Sequence, residues 1–162
     1  ELGEMMMANV LIVRHNTQLK ETLERLDEMS QRWRRCGCPD QGGWTNQSLP
    51  FLNQLRGMID LAKVITKGAL LRDECRGSHY KPEFEITQPD DFKPETYVEW
   101  QREGEPGNGR YKTTHVEFMR AFKAQQEKWL KTTIATHTPE GPEITFEPVD
   151  TSLIPVRPRK YD

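Results

Sequence analysis

The sequence lacks any apolar run long enough to cross a bilayer; the longest, Met5 to Val13, is interrupted by Asn9. It also lacks an excess of either charge. With 23 Lys and Arg against 25 Asp and Glu, the formal net charge is −2, so the basic field that nucleic acid or an anionic membrane requires is missing. Cysteine is scarce: Cys36, Cys38 and Cys75 are an odd number with no disulfide framework. Cys36-Gly37-Cys38 has one intervening residue, where zinc pairs use two or more and thioredoxin-type pairs two, so it reads as two loop thiols in a reducing compartment. Iron–sulfur clusters want four cysteines in runs that this chain does not have. There is no H-E-x-x-H pair, no Gly-rich strand–turn–helix fingerprint for a dinucleotide and no nucleophile elbow. No basic n-region of a signal peptide opens the chain, which starts Glu1-Leu2-Gly3-Glu4 without an initiator Met. A domain taken from a longer gene is therefore expected.

What is present points to helices. Hydrophobic residues make up 35% and charged residues 30%, so a small core with solvated helix faces is expected. Residues 2–14 read as a first helix, with Leu2, Met6, Val10 and Val13 at helical spacing. Met5-Met6-Met7 reads as adaptable core packing. Asn16 is a suitable N-cap for a second helix, whose stripe is Leu19, Leu23, Leu26, Met29 and Trp33. Residues 36–48, rich in Gly, Pro, Asn and Asp, form a loop. Ser48 then caps a third helix with Pro50 near its first turn. Its face (Phe51, Leu52, Leu55, Met58, Ile59, Ala62, Ile65, Ala69) is broad enough to suggest burial between two neighbours. Gly57 and Gly68 in its interior suggest close packing that offsets their helix penalty.

After Leu71 the character changes. Residues 72–112 carry prolines at 82, 89, 94 and 106 and glycines at 77, 104, 107 and 109, which suggests an extended segment wrapped over a surface. Thr113 or Thr114 caps a further helix ending near Leu130. Lys131–Thr136 and Glu143–Val149 read as strands joined by the turn Thr138-Pro139-Glu140-Gly141-Pro142. The tail Ile154 to Tyr161 is basic and proline-interrupted. The fold class expected is mainly α: a three-helix bundle of up-down-up, spectrin-repeat-like form, then an extended segment, a fourth helix and a small β-hairpin. The organisation expected is 1–75 as bundle core, 76–112 as wrapping segment, and 113–162 as helix, hairpin and tail.

The most pointed local pattern is Arg72-Asp73-Glu74-Cys75-Arg76-Gly77-Ser78-His79-Tyr80. Two arginines, two acids and a histidine at a helix end fit a substrate-anion or acid–base site, since Arg pairs bidentately with carboxylates and His titrates near neutrality. The same residues fit an ion-pair network that ends the helix and locks the loop, with Gly77 supplying a conformation other residues avoid. The residues favour the second reading. His15, His115 and His137 show no ligand spacing among themselves.

This stretch resembles the R-x-E-S-R-G-A-H segment of the succinate dehydrogenase and fumarate reductase flavoprotein family. Glu1 to Arg14 looks like the first helix of that family's C-terminal domain, and Trp129-Leu130-Lys131-Thr132-Thr133 is similar to its W-L-K-H-T segment. Glu147 to Tyr161 resembles the flavoprotein's own ending. The four matches come in the family's order and span nearly the whole chain. Cys75 and Ser78 stand where Ser and Ala are usual, and residues 36–48 and about 86–124 diverge.

The resemblance implies a several-fold longer parent holding FAD, which interconverts succinate and fumarate and passes electrons through an iron–sulfur subunit to quinone. Implied partners are the FAD-binding and capping domains of the same chain, the iron–sulfur subunit, with membrane anchor subunits indirectly; nucleic acid is not among them. The implied location is peripheral, on the cytoplasmic face of the inner membrane. No catalytic, cofactor-binding or metal residue of the family maps onto this chain. Arg72, Asp73, Glu74, Arg76, Gly77 and His79 are instead expected at the junction with the FAD domain. Two other readings are L-aspartate oxidase, which shares an E-S-R-G-x-H-Y pattern but normally lacks the tail from Glu147, and a free-standing helical interaction module.

Overall fold

The computed structural model describes residues 1–40, 42–107 and 109–159. The end of the basic tail, Lys160 and Tyr161, lies outside the described residues. Five α-helices and one hairpin are formed: α1 (Leu2–Asn9), α2 (Asn16–Trp33), α3 (Ser48–Leu70), α4 (Pro94–Arg102), α5 (Thr113–Trp129), β1 (Lys131–Thr136) and β2 (Glu143–Pro148). The two strands pair with each other as an antiparallel hairpin. The mainly helical fold class with a small hairpin is thus as expected. The chain divides into two compact units, Glu1–Phe84 with Thr133–Thr145, and Glu85–Thr132 with Phe146–Asp162.

In the first unit α1, α2 and α3 share a core. Met5, Leu26, Ile59 and Ala62 are buried together, and Leu2, Met6, Met29, Trp33 and Leu55 close around them. A second cluster joins Val10, Leu19 and Ala69. The Trp33 indole N–H donates to the Leu52 carbonyl at 2.7 Å, so the one polar atom of that ring is satisfied where α2 meets α3. The hairpin turn is tied to α3 by Lys67 Nζ, which donates to the Pro142 carbonyl at 2.6 Å.

Four boundaries differ from the sequence reading. The first helix stops at Asn9 instead of continuing to residue 14. Ile12, Val13 and Arg14 run extended beside Tyr80, with Arg14 N–H donating to the Tyr80 carbonyl at 2.9 Å and Tyr80 N–H to the Ile12 carbonyl at 3.2 Å. β-Branched residues favour that conformation. Asn16 is not a cap: His15 holds the cap position in extended conformation, while Asn16 Nδ2 reaches Asp73 Oδ1 at 3.1 Å. At α3 the cap position falls on Gln47 and not Ser48, and the exposed Leu49 N–H is satisfied by Asn46 Oδ1 at 3.1 Å. At α5 it falls on Lys112 and not on a threonine.

The segment 72–112 is the larger correction. It is not simply extended: Pro94 opens α4, at a position where a missing N–H costs little. Tyr97 and Trp100 from α4, Phe92 before it, and Val116, Phe118 and Met119 from α5 make the second unit's core. Phe92 and Phe118 meet edge to face at 4.8 Å, and Tyr97 and Phe122 at 5.0 Å. Burial pushes the Tyr97 hydroxyl up to about 12. Beyond α4, Gly104 and Glu105 both take positive φ, and Lys123 holds the Glu105 carboxylate at 2.5 Å. His115, at the start of α5, bonds Asp91 at 2.9 Å, and Lys112 binds the same carboxylate.

α3 departs from expectation in a further way. Ile59, Ala62 and Ala69 are buried, yet Phe51, Met58, Leu61 and Ile65 remain more than half exposed. Nothing lies within 4 Å of a Cβ built on Gly57, so its helix penalty is not offset by packing within this chain, while Gly68 meets only the Thr133 methyl at 3.8 Å. Truncating Trp100 to Ala should destabilise the second unit by about 3–5 kcal/mol. Leu26→Ala should cost the first unit about 2–5 kcal/mol. Denaturant titrations followed by residue-resolved exchange would check that each loss falls on its own unit.

Candidate functional site

The stretch from Arg72 begins where α3 runs out. Leu71 N–H still reaches the Lys67 carbonyl at 3.1 Å, and Arg72 N–H reaches Ala69 at 3.4 Å. The chain then turns so that Glu74 faces inward with no exposure at all. Its carboxylate is gripped from both sides. Arg72 Nε donates to Oε1 at 2.5 Å. Arg76 donates through Nε at 3.1 Å and Nη2 at 2.9 Å. The two-pronged geometry is the strong form of the arginine–carboxylate contact. Arg72 also donates through Nη1 to Thr133 Oγ1 on β1 at 3.0 Å.

Arg76 and His79 close a tight turn, exchanging backbone hydrogen bonds of 2.8 and 3.0 Å. Gly77 takes φ +58° within it, the left-handed region in which a side chain is disfavoured. His79 is thereby pointed back at the helix end, and its Nε2 donates to the Arg72 carbonyl at 2.8 Å. Its Nδ1 accepts from Arg14 Nη1 at 2.5 Å. The imidazole is therefore neutral, with its proton on Nε2. Arg14 in turn donates through Nε to the Val10 carbonyl at 2.8 Å and through Nη2 to Leu11 at 3.0 Å, closing the frayed end of α1.

Asp73 faces a different partner. Lys81, fully buried, places Nζ 2.9 Å from Asp73 Oδ1 and 3.1 Å from the Leu70 carbonyl, with the Phe84 ring 5.7 Å beneath it. Asn16 Oδ1 is the one buried side-chain polar atom without a partner among the described residues. Cys75 Sγ donates to the Lys81 carbonyl at 3.1 Å. The structure thus brings together all six residues singled out from sequence, and adds Arg14, Asn16 and Lys81. Nothing in the sequence marked Arg14, which is 65 positions from His79. Lys81 was hidden because lysine next to proline reads as surface.

The chemistry available is that of a latch. The buried Glu74 is paired with a cation on each flank, as buried charge must be, and Asp73 meets an ammonium and an amide. Burial lowers the His79 pKa, and the Arg14 and Lys81 charges lower it further against the opposing pull of the Arg72 carbonyl and Glu74. The other histidines stand apart: His15 pairs with Glu83 at 2.7 Å, His115 with Asp91, and His137 lies at the hairpin turn. No group of three or more His, Cys, Asp or Glu among the described residues is placed to hold a metal. No described helix is long and apolar enough to cross a membrane.

Residues 1–161 match the family described as "Fumarate reductase flavoprotein C-term". The chain belongs to this family. It is similar to the succinate dehydrogenase flavoprotein subunit of Bacillus subtilis (strain 168), at 36% identity over 163 aligned residues, 99% of this chain and 22% of that protein. It is also similar to part of the fumarate reductase (CoM/CoB) of Methanothermobacter marburgensis, at 34% identity over 63% of this chain and 17% of that one. In structure it resembles a chain of E. coli quinol fumarate reductase, with a TM-score of 0.66 at 19% identity, covering 94% of this chain and 20% of that chain; that likeness is one of fold. The chain spans about a fifth of the length of these relatives. This membership favours the succinate dehydrogenase and fumarate reductase reading over L-aspartate oxidase and over a free-standing helical module.

FAD is the group that the flavoprotein family implies. A dinucleotide of this kind is held where a strand passes through a Gly-rich turn into a helix. Here β1 follows a helix and leads into a hairpin, and no described strand opens a helix. The described residues of this domain do not fit that group, and no step is assigned to them through it.

Because folded His79 binds a proton less readily than the free side chain, the unfolded chain takes up more protons as pH falls. The stability His79 contributes is present above its ordinary pKa of about 6.5 and lost as pH drops below it. His79→Gln should flatten that arm of a stability–pH curve measured by denaturant titration. Glu74→Ala, which leaves two arginines facing a buried void, should cost about 3–5 kcal/mol in the same assay.

Proposed function

We propose that this chain is the C-terminal helical part of the FAD-containing subunit of a succinate dehydrogenase or fumarate reductase. The parent interconverts succinate and fumarate and passes electrons through an iron–sulfur subunit to quinone. The observation that carries this is the family match over residues 1–161, together with 36% identity to a succinate dehydrogenase flavoprotein over 99% of the chain. In this reading hydride transfer, proton transfer and FAD attachment belong to upstream domains. The residues here contribute shape and docking.

The Arg72–His79 latch braces the junction with the FAD-binding and capping domains of the same polypeptide. Arg76 suits that role, since its side chain is 37% exposed while its guanidinium holds a fully buried carboxylate. The exposed face of α3, with Phe51, Met58, Leu61 and Ile65 in one uncharged stripe, supplies apolar surface for the same junction. The iron–sulfur subunit, membrane anchors contacted indirectly, and a peripheral position on the cytoplasmic face of the inner membrane complete the assembly.

The test is Arg76→Ala in the full-length flavoprotein. Bound flavin per protein and succinate-dependent dye reduction should both fall, with flavin lost on gel filtration. Unchanged flavin content and activity would sink the docking role. By itself, the 162-residue chain should take up no FAD, which an absorbance scan after incubation and desalting would check.

A further inference from the structure

Two of the three thiols lie in the loop between α2 and α3. Cys36 is exposed just past α2, its Sγ donating to the Arg32 carbonyl at 3.5 Å. Cys38 is half-buried; its Sγ donates to the Asp40 carbonyl at 3.2 Å and accepts from Asn46 Nδ2 at 3.5 Å. Asn46 is the side chain on which the start of α3 depends. Its Nδ2 also donates to the Asp40 carbonyl at 2.6 Å, while its Oδ1 accepts the Leu49 N–H at 3.1 Å. That N–H is one of the four that the first turn of a helix leaves without an intrahelical partner, and Gln47 at the cap position makes no side-chain cap bond. The amide that caps a 23-residue helix is therefore steadied by a thiol. Between the two cysteines, Gly37 has nothing within 4 Å of where a Cβ would sit, so this short link is free to rotate.

We propose that Cys36 and Cys38 form a reversible dithiol–disulfide pair whose oxidation releases the Asn46 cap from α3. The co-reactant is a small-molecule disulfide. The exposed Cys36 thiolate attacks one of its sulfurs; that S–S bond breaks, leaving a mixed disulfide on Cys36 and expelling one thiolate, which takes a proton from solvent. Cys38, its own proton released to solvent, then attacks Cys36 Sγ and expels the second thiol. Two protein thiols are oxidised, and one external disulfide is reduced to two thiols. In the product Cys38 has no S–H to give the Asp40 carbonyl, and its sulfur turns towards Cys36 and away from Asn46. Cys75 takes no part, held at the Lys81 carbonyl.

The test equilibrates the full chain with mixtures of reduced and oxidised glutathione, then uses acid quench, alkylation and mass analysis. The expected product is a chain lighter by two hydrogens, with Cys36 and Cys38 linked and Cys75 alkylated. Hydrogen exchange at Leu49 should then rise roughly fivefold over the reduced chain, in line with an N-cap's usual contribution. Cys38→Ser should stop at the mixed disulfide on Cys36. Asn46→Ala should raise exchange at Leu49 in the reduced chain and make it indifferent to oxidation. A lasting glutathione adduct on Cys36 of the unaltered chain, or a linked pair with unchanged exchange at Leu49, would overturn the proposal.

Discussion

A carboxylate removed from water costs several kcal/mol unless cations and hydrogen-bond donors replace the solvent. Glu74 is removed completely, and Arg72 and Arg76 replace its water from opposite sides. Much of the first unit follows from that. Holding Arg72 fixes its carbonyl, the carbonyl orients His79, and His79 receives the guanidinium of Arg14. Arg14 then covers the end of α1, and the chain before it lies extended along Tyr80. A single buried charge thereby couples the end of α3 to the end of α1.

Lys81 makes a second buried pair beside the first. Its ammonium binds Asp73 and the Leu70 carbonyl, and Asp73 also takes the Asn16 amide at the start of α2. The ends of all three helices of the unit meet at these two pairs, in place of an apolar plug. Buried ionic pairs of this kind contribute little net stability against a well-packed apolar alternative, but removing one member is severe. A structural role with low tolerance for substitution follows, in keeping with residues that hold a geometry instead of reacting.

α3 shows the opposite economy. One side is packed into the bundle by Ile59 and Ala62, while Phe51, Met58, Leu61 and Ile65 face outward. Large apolar side chains in a single uncharged stripe are unusual for a surface with nothing against it. In a chain about a fifth as long as its relatives, that stripe agrees with a domain shaped to sit against more protein.

Helix existence and type were legible because an apolar period near 3.6 is a local property of the sequence, and α2, α3 and α5 carry it over four turns or more. The hairpin was legible for a similar reason: its Pro- and Gly-containing turn separates two short runs. α4 was hidden by its flanking prolines and glycines, although Pro94 opens a helix instead of breaking one. Cap positions slipped by a residue at three helices, since Asn16 was drawn away by Asp73 and Asn46 acted from outside the expected cap. The motif from Arg72 to His79 could be picked out by its crowded charges, and the ordered family segments said which kind of protein carries it. Its wiring could not be read, because Arg14, Asn16 and Lys81 reach it only once α1, α2 and α3 are packed. By itself, the sequence determined the helices, the hairpin and the family, all carried by patterns within a few turns of chain. The tertiary structure alone decided which charges are buried, with whom they pair and which face of α3 stays open, because burial depends on residues that meet only after folding.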